Sequence, residues 1–149
     1  MLYKDNTNVM FVTTFYAILD INTGVITYCN AGHNPPHIIR QDGRVETITN
    51  KHGMALGVSD DIDYKDDQIT LKAKDTFFLY TDGVTEAETS NGSQFTDAKL
   101  ITDLERHRKL AVSELINTIR ADITSFAAGF PQSDDITMLA VRYLVGKQS

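Results

Sequence analysis

The chain has 149 residues, 42% of them hydrophobic and 23% charged, ordinary proportions for one globular domain and too apolar for a disordered segment. Its 14 Lys and Arg against 20 Asp and Glu leave a net charge of -6, which argues against a non-specific nucleic-acid binder, whose phosphate contacts need a basic face. The uncharged, apolar stretch of residues 9–19 falls short of the roughly 20 apolar residues of a membrane helix.

Residues 10–19 (MFVTTFYAIL) are rich in β-branched and aromatic side chains and predict a strand. The turn cluster 20–24, ending in Gly24, and a return strand over 25–29 (VITYC) complete a hairpin. After Pro35 and Pro36 a short strand resumes over 37–40, and Gln41-Asp42-Gly43 turns it into another over 45–48. Strands over 69–71 and 76–81 (TFFLYT) follow, and the second, apolar on both faces, predicts a central position. The period then changes. Residues 97–107 set Leu100, Ile101 and Leu104 on one helical face with Thr96 as N-cap. Over 113–128, Leu115, Ile116, Ile119, Ile123 and Phe126 recur at helical spacing, and Gly129 and Pro131 stop that helix. A last apolar strand spans 136–143 (ITMLAVRY). The pattern is one α+β unit without repeats or linkers, strands first and late helices covering a face. A single cysteine, Cys29, excludes an internal disulfide, and the polar residues 5–8 after Lys4 do not read as a secretory leader. A cytoplasmic protein is expected.

Two acidic positions stand out. Asp82 follows the apolar strand 76–81 and precedes Gly83, while Asp134 and Asp135 immediately precede the strand 136–143. If those strands pair antiparallel, the carboxylates converge at one sheet end, a donor set that suits a hard divalent cation such as Mg²⁺ or Mn²⁺. The same residues also read as an Asp-Gly turn and an exposed strand cap, and spacing alone leaves both readings open.

Leu79-Tyr80-Thr81-Asp82-Gly83-Val84-Thr85-Glu86-Ala87 and Asp134-Asp135-Ile136-Thr137 resemble two signature motifs of the SpoIIE/RsbU-type bacterial phosphatases, members of the metal-dependent (PPM, type 2C-like) serine/threonine phosphatases. Asn30-Ala31-Gly32-His33-Asn34-Pro35-Pro36 resembles a third motif, and Met10-Phe11-Val12-Thr13-Thr14-Phe15-Tyr16 a fourth; Leu56-Gly57 sits where the family often has a Leu-Gly pair. The resemblance runs from about residue 1 to residue 143 and implies an antiparallel β-sandwich flanked by helices, with two metal ions at one end. By the resemblance, Asp82 and Asp134 are metal ligands. Gly83, Asp135, His33 and Asn34 then serve as outer supports or substrate-positioning groups. The nucleophile it implies is a metal-activated water, with no catalytic side chain and Cys29 in the core. For His33 and Asn34 a purely structural turn is the alternative.

One departure matters. The Asp-x-x-Gly-His-Gly (or Lys) motif, whose Asp bridges both metals in the family, has no counterpart in these 149 residues. Met1-Leu2-Tyr3-Lys4 looks like the tail of a helix. The chain is therefore expected to be the C-terminal portion of a single phosphatase domain lacking its N-terminal strands and helices, and inactive or nearly so by itself. Its parent is expected to hydrolyse phosphoserine or phosphothreonine on a regulatory protein, such as an anti-sigma-factor antagonist, under upstream sensor or receiver domains. The rival reading is a non-catalytic interaction module on the same fold. A sheet face without its helices is expected to expose apolar residues along 11–19 and to drive homodimerisation. The acidic run Asp60, Asp61, Asp63, Asp66, Asp67 fails the calcium-loop template at Asp66 and Lys72 and reads as a solvated loop. His37, His52 and His107 have no partner at ligand spacing and read as surface or strand residues.

Overall fold

A computed structural model of the chain describes residues 10–50, 53–59 and 61–144. The readings made for residues 1–4, His52 and Asp60 lie outside the described residues. Among these residues seven strands and two α-helices follow one another: β1 (Thr14–Leu19), β2 (Val25–Ala31), β3 (His37–Ile39), β4 (Val45–Thr47), β5 (Asp67–Thr70), β6 (Thr76–Tyr80), α1 (Asp97–His107), α2 (Val112–Ala127) and β7 (Met138–Arg142). They form two antiparallel sheets, ordered β1-β2-β5 and β4-β3-β6-β7.

The strand β6 explains the layering. Its alternate residues point to opposite faces, and both faces are apolar. Phe77 and Leu79 join Ile26, Tyr28, Ile38 and Leu71 in a core between the sheets. Phe78 and Tyr80 instead join Leu100 and Leu104 of α1 and Leu115, Ile119 and Ile123 of α2 in a second core. A strand buried on both sides belongs in the middle of a sheet, and β6 lies between β3 and β7 as its composition predicts. The helices touch only the β4-β3-β6-β7 sheet among the element pairs in substantial contact. The outer face of the other sheet carries Tyr16 and Ile18, 62% and 57% exposed.

The local signals for the late helices hold. Thr96 caps α1 by accepting from the Lys99 amide, at the cost of a φ of 65°. α2 ends at Ala128 in the left-handed region, followed by Gly129. The first strand is shorter than residues 10–19 suggest. Thr14 pairs with Ala31, and beyond Ala31 the partner chain turns at Gly32 (φ 76°) into Pro35 and Pro36, which cannot extend the ladder. Val12 is instead tied to Leu56 by reciprocal amide–carbonyl bonds of 2.9 and 2.8 Å.

Two histidines have partners that spacing along the chain does not reveal. His107 is half-buried and meets Asp122 at 3.1 Å. His37 is not a surface residue: it is fully buried in β3. Its Nε2 lies 3.0 Å from Asp97 Oδ1 and its Nδ1 3.0 Å from the Thr47 hydroxyl. Since a carboxylate can only accept, Nε2 carries the proton and the Thr47 hydroxyl donates to Nδ1. Tyr80 stacks on His37 and donates to the same Asp97 oxygen at 2.6 Å. This network fastens the first turn of α1 to β3, β4 and β6.

Phe78, fully buried between sheet and helices, should cost about 3–5 kcal/mol when cut to alanine, whereas Ile18→Ala on the bare face should stay within about 0.5 kcal/mol. Urea unfolding of the two variants checks the layer assignment. Burial holds the His37 imidazole below its ordinary value, although Asp97 pulls it upward. The unfolded chain therefore takes up this proton first as pH falls. The stabilisation is full above about pH 6.5 and is lost as pH drops through that value towards the lower folded one. Unfolding free energies measured from pH 7.5 down to 5.5, on the order of those values, should fall more steeply for the parent than for His37→Gln, by at most about 1.4 kcal/mol per pH unit.

Candidate metal centre

β6 and β7 run antiparallel with Tyr80 opposite Met138, so the residues after β6 and those before β7 meet at one end of the sheet. Thr81 continues the pairing past the last strand residue. Its amide donates to the Thr137 carbonyl at 3.0 Å, its hydroxyl donates to the Asp135 carbonyl at 2.8 Å, and the Thr137 amide donates back to that hydroxyl at 3.0 Å. One side chain thus clamps the segment 135–137 to the end of β6.

Asp82 then opens a single 3-10 turn, Asp82–Val84, which is anchored by Val84 in the helix-side core. The Asp82 carboxylate accepts from the Gly83 amide at 3.1 Å, and the Asp134 carboxylate accepts from the Asp135 amide at 2.7 Å. Gln132 donates its side-chain amide to the Asp134 carbonyl. Gly83 is required by close approach: a Cβ there would lie 2.6 Å from the Asp135 carbonyl oxygen and 3.0 Å from that of Asp134. The residue before the turn and the residue after Asp82 therefore both hold the second acidic segment in place.

Asp82, Asp134 and Asp135 are all exposed, and none forms a salt bridge with a described residue. Exposed carboxylate oxygens without a cationic partner fit Mg²⁺ or Mn²⁺, which accept one or two carboxylates and keep several waters. Among the described residues no group of three or more His, Cys, Asp or Glu side chains is close enough to enclose an ion. The arrangement is an open rim.

His33 and Asn34 precede β3, whose first residue, His37, pairs with Phe78 near the far end of β6. Their loop therefore opens at the same end of the sheet as Asp82. It is internally bonded: Asn30, fully buried, accepts from the His33 amide at 2.8 Å and donates to the His33 carbonyl at 3.1 Å. His33 Nδ1 lies 3.0 Å from the Asn34 carbonyl, an acceptor, so Nδ1 carries a proton and donates it there. The loop is a hydrogen-bonded turn, and its bonds to described residues engage one of the two imidazole nitrogens of His33.

The residue missed at the level of sequence is Thr81. Its signal was legible: a β-branched hydroxyl residue directly between a both-faces-apolar strand and Asp82. Of the acidic run, Asp61, Asp63 and Asp66 are exposed, and Asp67 begins β5.

The model of the Stage II sporulation protein E (SpoIIE) family matches residues 1–144. Over 134 residues the chain is 32% identical to the phosphoserine phosphatase RsbU of Bacillus subtilis, covering 89% of this chain and 39% of RsbU. It is 31% identical over 132 residues to protein IcfG of Synechocystis sp., covering 89% of this chain and 20% of IcfG. The solved phosphatase domain of SpoIIE from Bacillus subtilis, presoaked with manganese, superposes with a TM-score of 0.72 at 16% identity, covering 98% of this chain and 62% of that one, a likeness of fold. The chain thus spans well under half the length of either curated relative. Its sandwich, its helices and the family match over nearly all its residues place it in the SpoIIE family, with the fold of a PP2C phosphatase domain.

Proposed function

We propose that this chain supplies part of the centre of a metal-dependent phosphatase acting on phosphoserine or phosphothreonine of a regulatory protein. The observation that carries the reading is the Thr81 clamp, which brings the segments bearing Asp82 and Asp134 to one exposed rim. RsbU, the relative at 32% identity, is a phosphoserine phosphatase, and this supports the same reaction class here. Asp82 and Asp134 hold a Mg²⁺ or Mn²⁺ ion, Asp135 and Gly83 fix the geometry of that rim, and His33 Nε2 and Asn34 face the phosphate end of the substrate. When bound, such a cation supplies the acidity that brings water into the hydroxide range near neutral pH and offsets phosphoryl charge. The chain's own residues orient: Thr81 fixes strand spacing, Gly83 permits close approach, and the Asn30 bonds present His33.

Two carboxylates hold a hard ion weakly. The 149 residues alone are accordingly inactive or nearly so, and turnover belongs to the longer protein, in the cytoplasm and under sensor or receiver modules. A substrate of the anti-sigma-factor-antagonist kind follows from the family resemblance. The alternative is an interaction module on the same fold without hydrolysis.

Manganese titration followed by isothermal calorimetry should show weak binding to this chain. Asp82→Asn or Asp134→Asn should weaken it by at least about tenfold. Gly83→Ala should weaken it too and cost about 1–3 kcal/mol of stability, because the added methyl pushes the 134–135 segment away. Hydrolysis of p-nitrophenyl phosphate with Mn²⁺ by the longer protein decides between enzyme and binding module: a folded, manganese-loaded protein without turnover removes the enzyme reading.

The bare face of Tyr16 and Ile18 pairs with that of a second copy. Light scattering should give a dimer that Ile18→Lys returns to monomer, and a monodisperse parent monomer at high concentration rejects the pairing.

A further inference from the structure

The two ends of β6 differ in charge. At the end away from Asp82, a surface groove is lined by Arg40, Lys74, Arg108, Lys109 and Arg142 with no acidic residue in its wall; Ile39 and Leu144 supply apolar surface between them. Five of the chain's 14 basic residues converge there, in a protein whose net charge is -6. From Thr76 at this end to Asp82 is six residues, about 20 Å of extended chain, so the groove is separate from the candidate metal rim.

Most of this positive charge is not neutralised locally. Asp75, buried beneath, accepts from Arg40 at 2.8 Å and from the Gln41 and Lys72 amides at 3.0 and 2.9 Å. Glu46 also pairs with Arg40, and Asp42 pairs with Arg44. Among the described residues Lys74, Arg108, Lys109 and Arg142 form no salt bridge. Both arginines are oriented by neutral acceptors instead. Arg142 donates through Nε to the Thr76 hydroxyl at 2.8 Å, and Arg108 donates through Nη1 to the Glu105 carbonyl at 2.6 Å. The Arg108 side chain also lies against Gly43, where a Cβ would come within 2.6 Å of its Nε. A guanidinium held in this way keeps donors free for a carboxylate fork.

We propose that this groove docks an acidic segment of a partner protein. The cations come from four separate places, the end of β3, the turn before β6, the end of α1 and the end of β7, and are interleaved with apolar surface. That spread suits carboxylates distributed along a peptide. A compact dianion fits less well, because the C-terminus of α1 beside Arg108 carries partial negative charge. On a chain that otherwise repels acidic surfaces, one basic groove determines where such a partner approaches. The inference is independent of the metal rim and of any phosphatase activity.

The test uses the 149-residue chain and a fluorescein-labelled oligo-glutamate peptide of about twenty residues, followed by fluorescence anisotropy. Binding is expected, weakening by about tenfold or more between roughly 50 mM and roughly 300 mM salt. The double variant Lys74→Glu/Lys109→Glu should lose at least about tenfold in affinity, while Lys65→Glu/Arg120→Glu, which makes the same change in net charge elsewhere, stays within about twofold. No binding, or equal weakening in the two double variants, overturns the proposal. So does displacement of the peptide by inorganic pyrophosphate at equimolar concentration, which marks a compact-anion pocket. Equal or tighter binding of a short duplex DNA assigns the groove to nucleic acid and likewise overturns it.

Discussion

The structure hangs on the antiparallel pairing of β6 with β7. Among the described residues, β6 is the only strand to send two aromatic side chains, Phe78 and Tyr80, into the helix-side core and another, Phe77, into the core between the sheets. Its position is therefore determined from both sides, and β7 inherits its register from it. The register carries functional weight because side chains alternate across a strand: a slip of one residue would exchange the helix-facing Met138 and Ala140 for Leu139 and Val141. It would also separate Asp82 from the segment that Thr81 now clamps beside it.

Around that axis charge is segregated. Three carboxylate residues, Asp82, Asp134 and Asp135, lie at the C-terminal end of β6, and Arg142, Lys74 and Arg108 lie at the other. Neither end could be brought inside, since an unpaired charge in the sandwich would cost far more than the fold's margin of stability. The strand ends are where exposed backbone turns can hold charged side chains at low cost while the apolar residues between them stay covered. An acidic rim and a basic groove on opposite ends of one strand follow from the same constraint that builds the core.

Two buried groups, Asp75 and His37, are saturated by hydrogen bonds. Asp75 accepts from a guanidinium and two backbone amides, and His37 sits neutral between Thr47 and Asp97 with Tyr80 stacked on it. Both networks join segments distant along the chain, Arg40 to Asp75 and His37 to Asp97, and both fasten a turn or a helix end onto the β4-β3-β6-β7 sheet. Their contribution is less to the free energy of folding than to fixing how elements meet, because a half-satisfied version would be worse than an apolar one.

Much of this was legible in the residues alone. The two-sided apolarity of 76–81, the helical spacing of Leu115, Ile119 and Ile123, the Thr96 cap and the Asp-Gly and Asp-Asp motifs flanking apolar strands are local patterns, set by periods of two and 3.6 residues and by turn chemistry. They were sufficient for one α+β unit with a central strand at 76–81 and for placing Asp82 and Asp134 at the ends of two apolar strands, whereas the sandwich and the role of Gly83 were implied by the family resemblance. What only the tertiary structure decided is everything that joins residues far apart in sequence: the Thr81 clamp across 54 residues, the burial of His37 against an aspartate 60 residues later, the early end of β1, and the basic groove gathered from four segments. Such contacts leave no periodic trace, because they depend on which strand ends meet once both cores have closed.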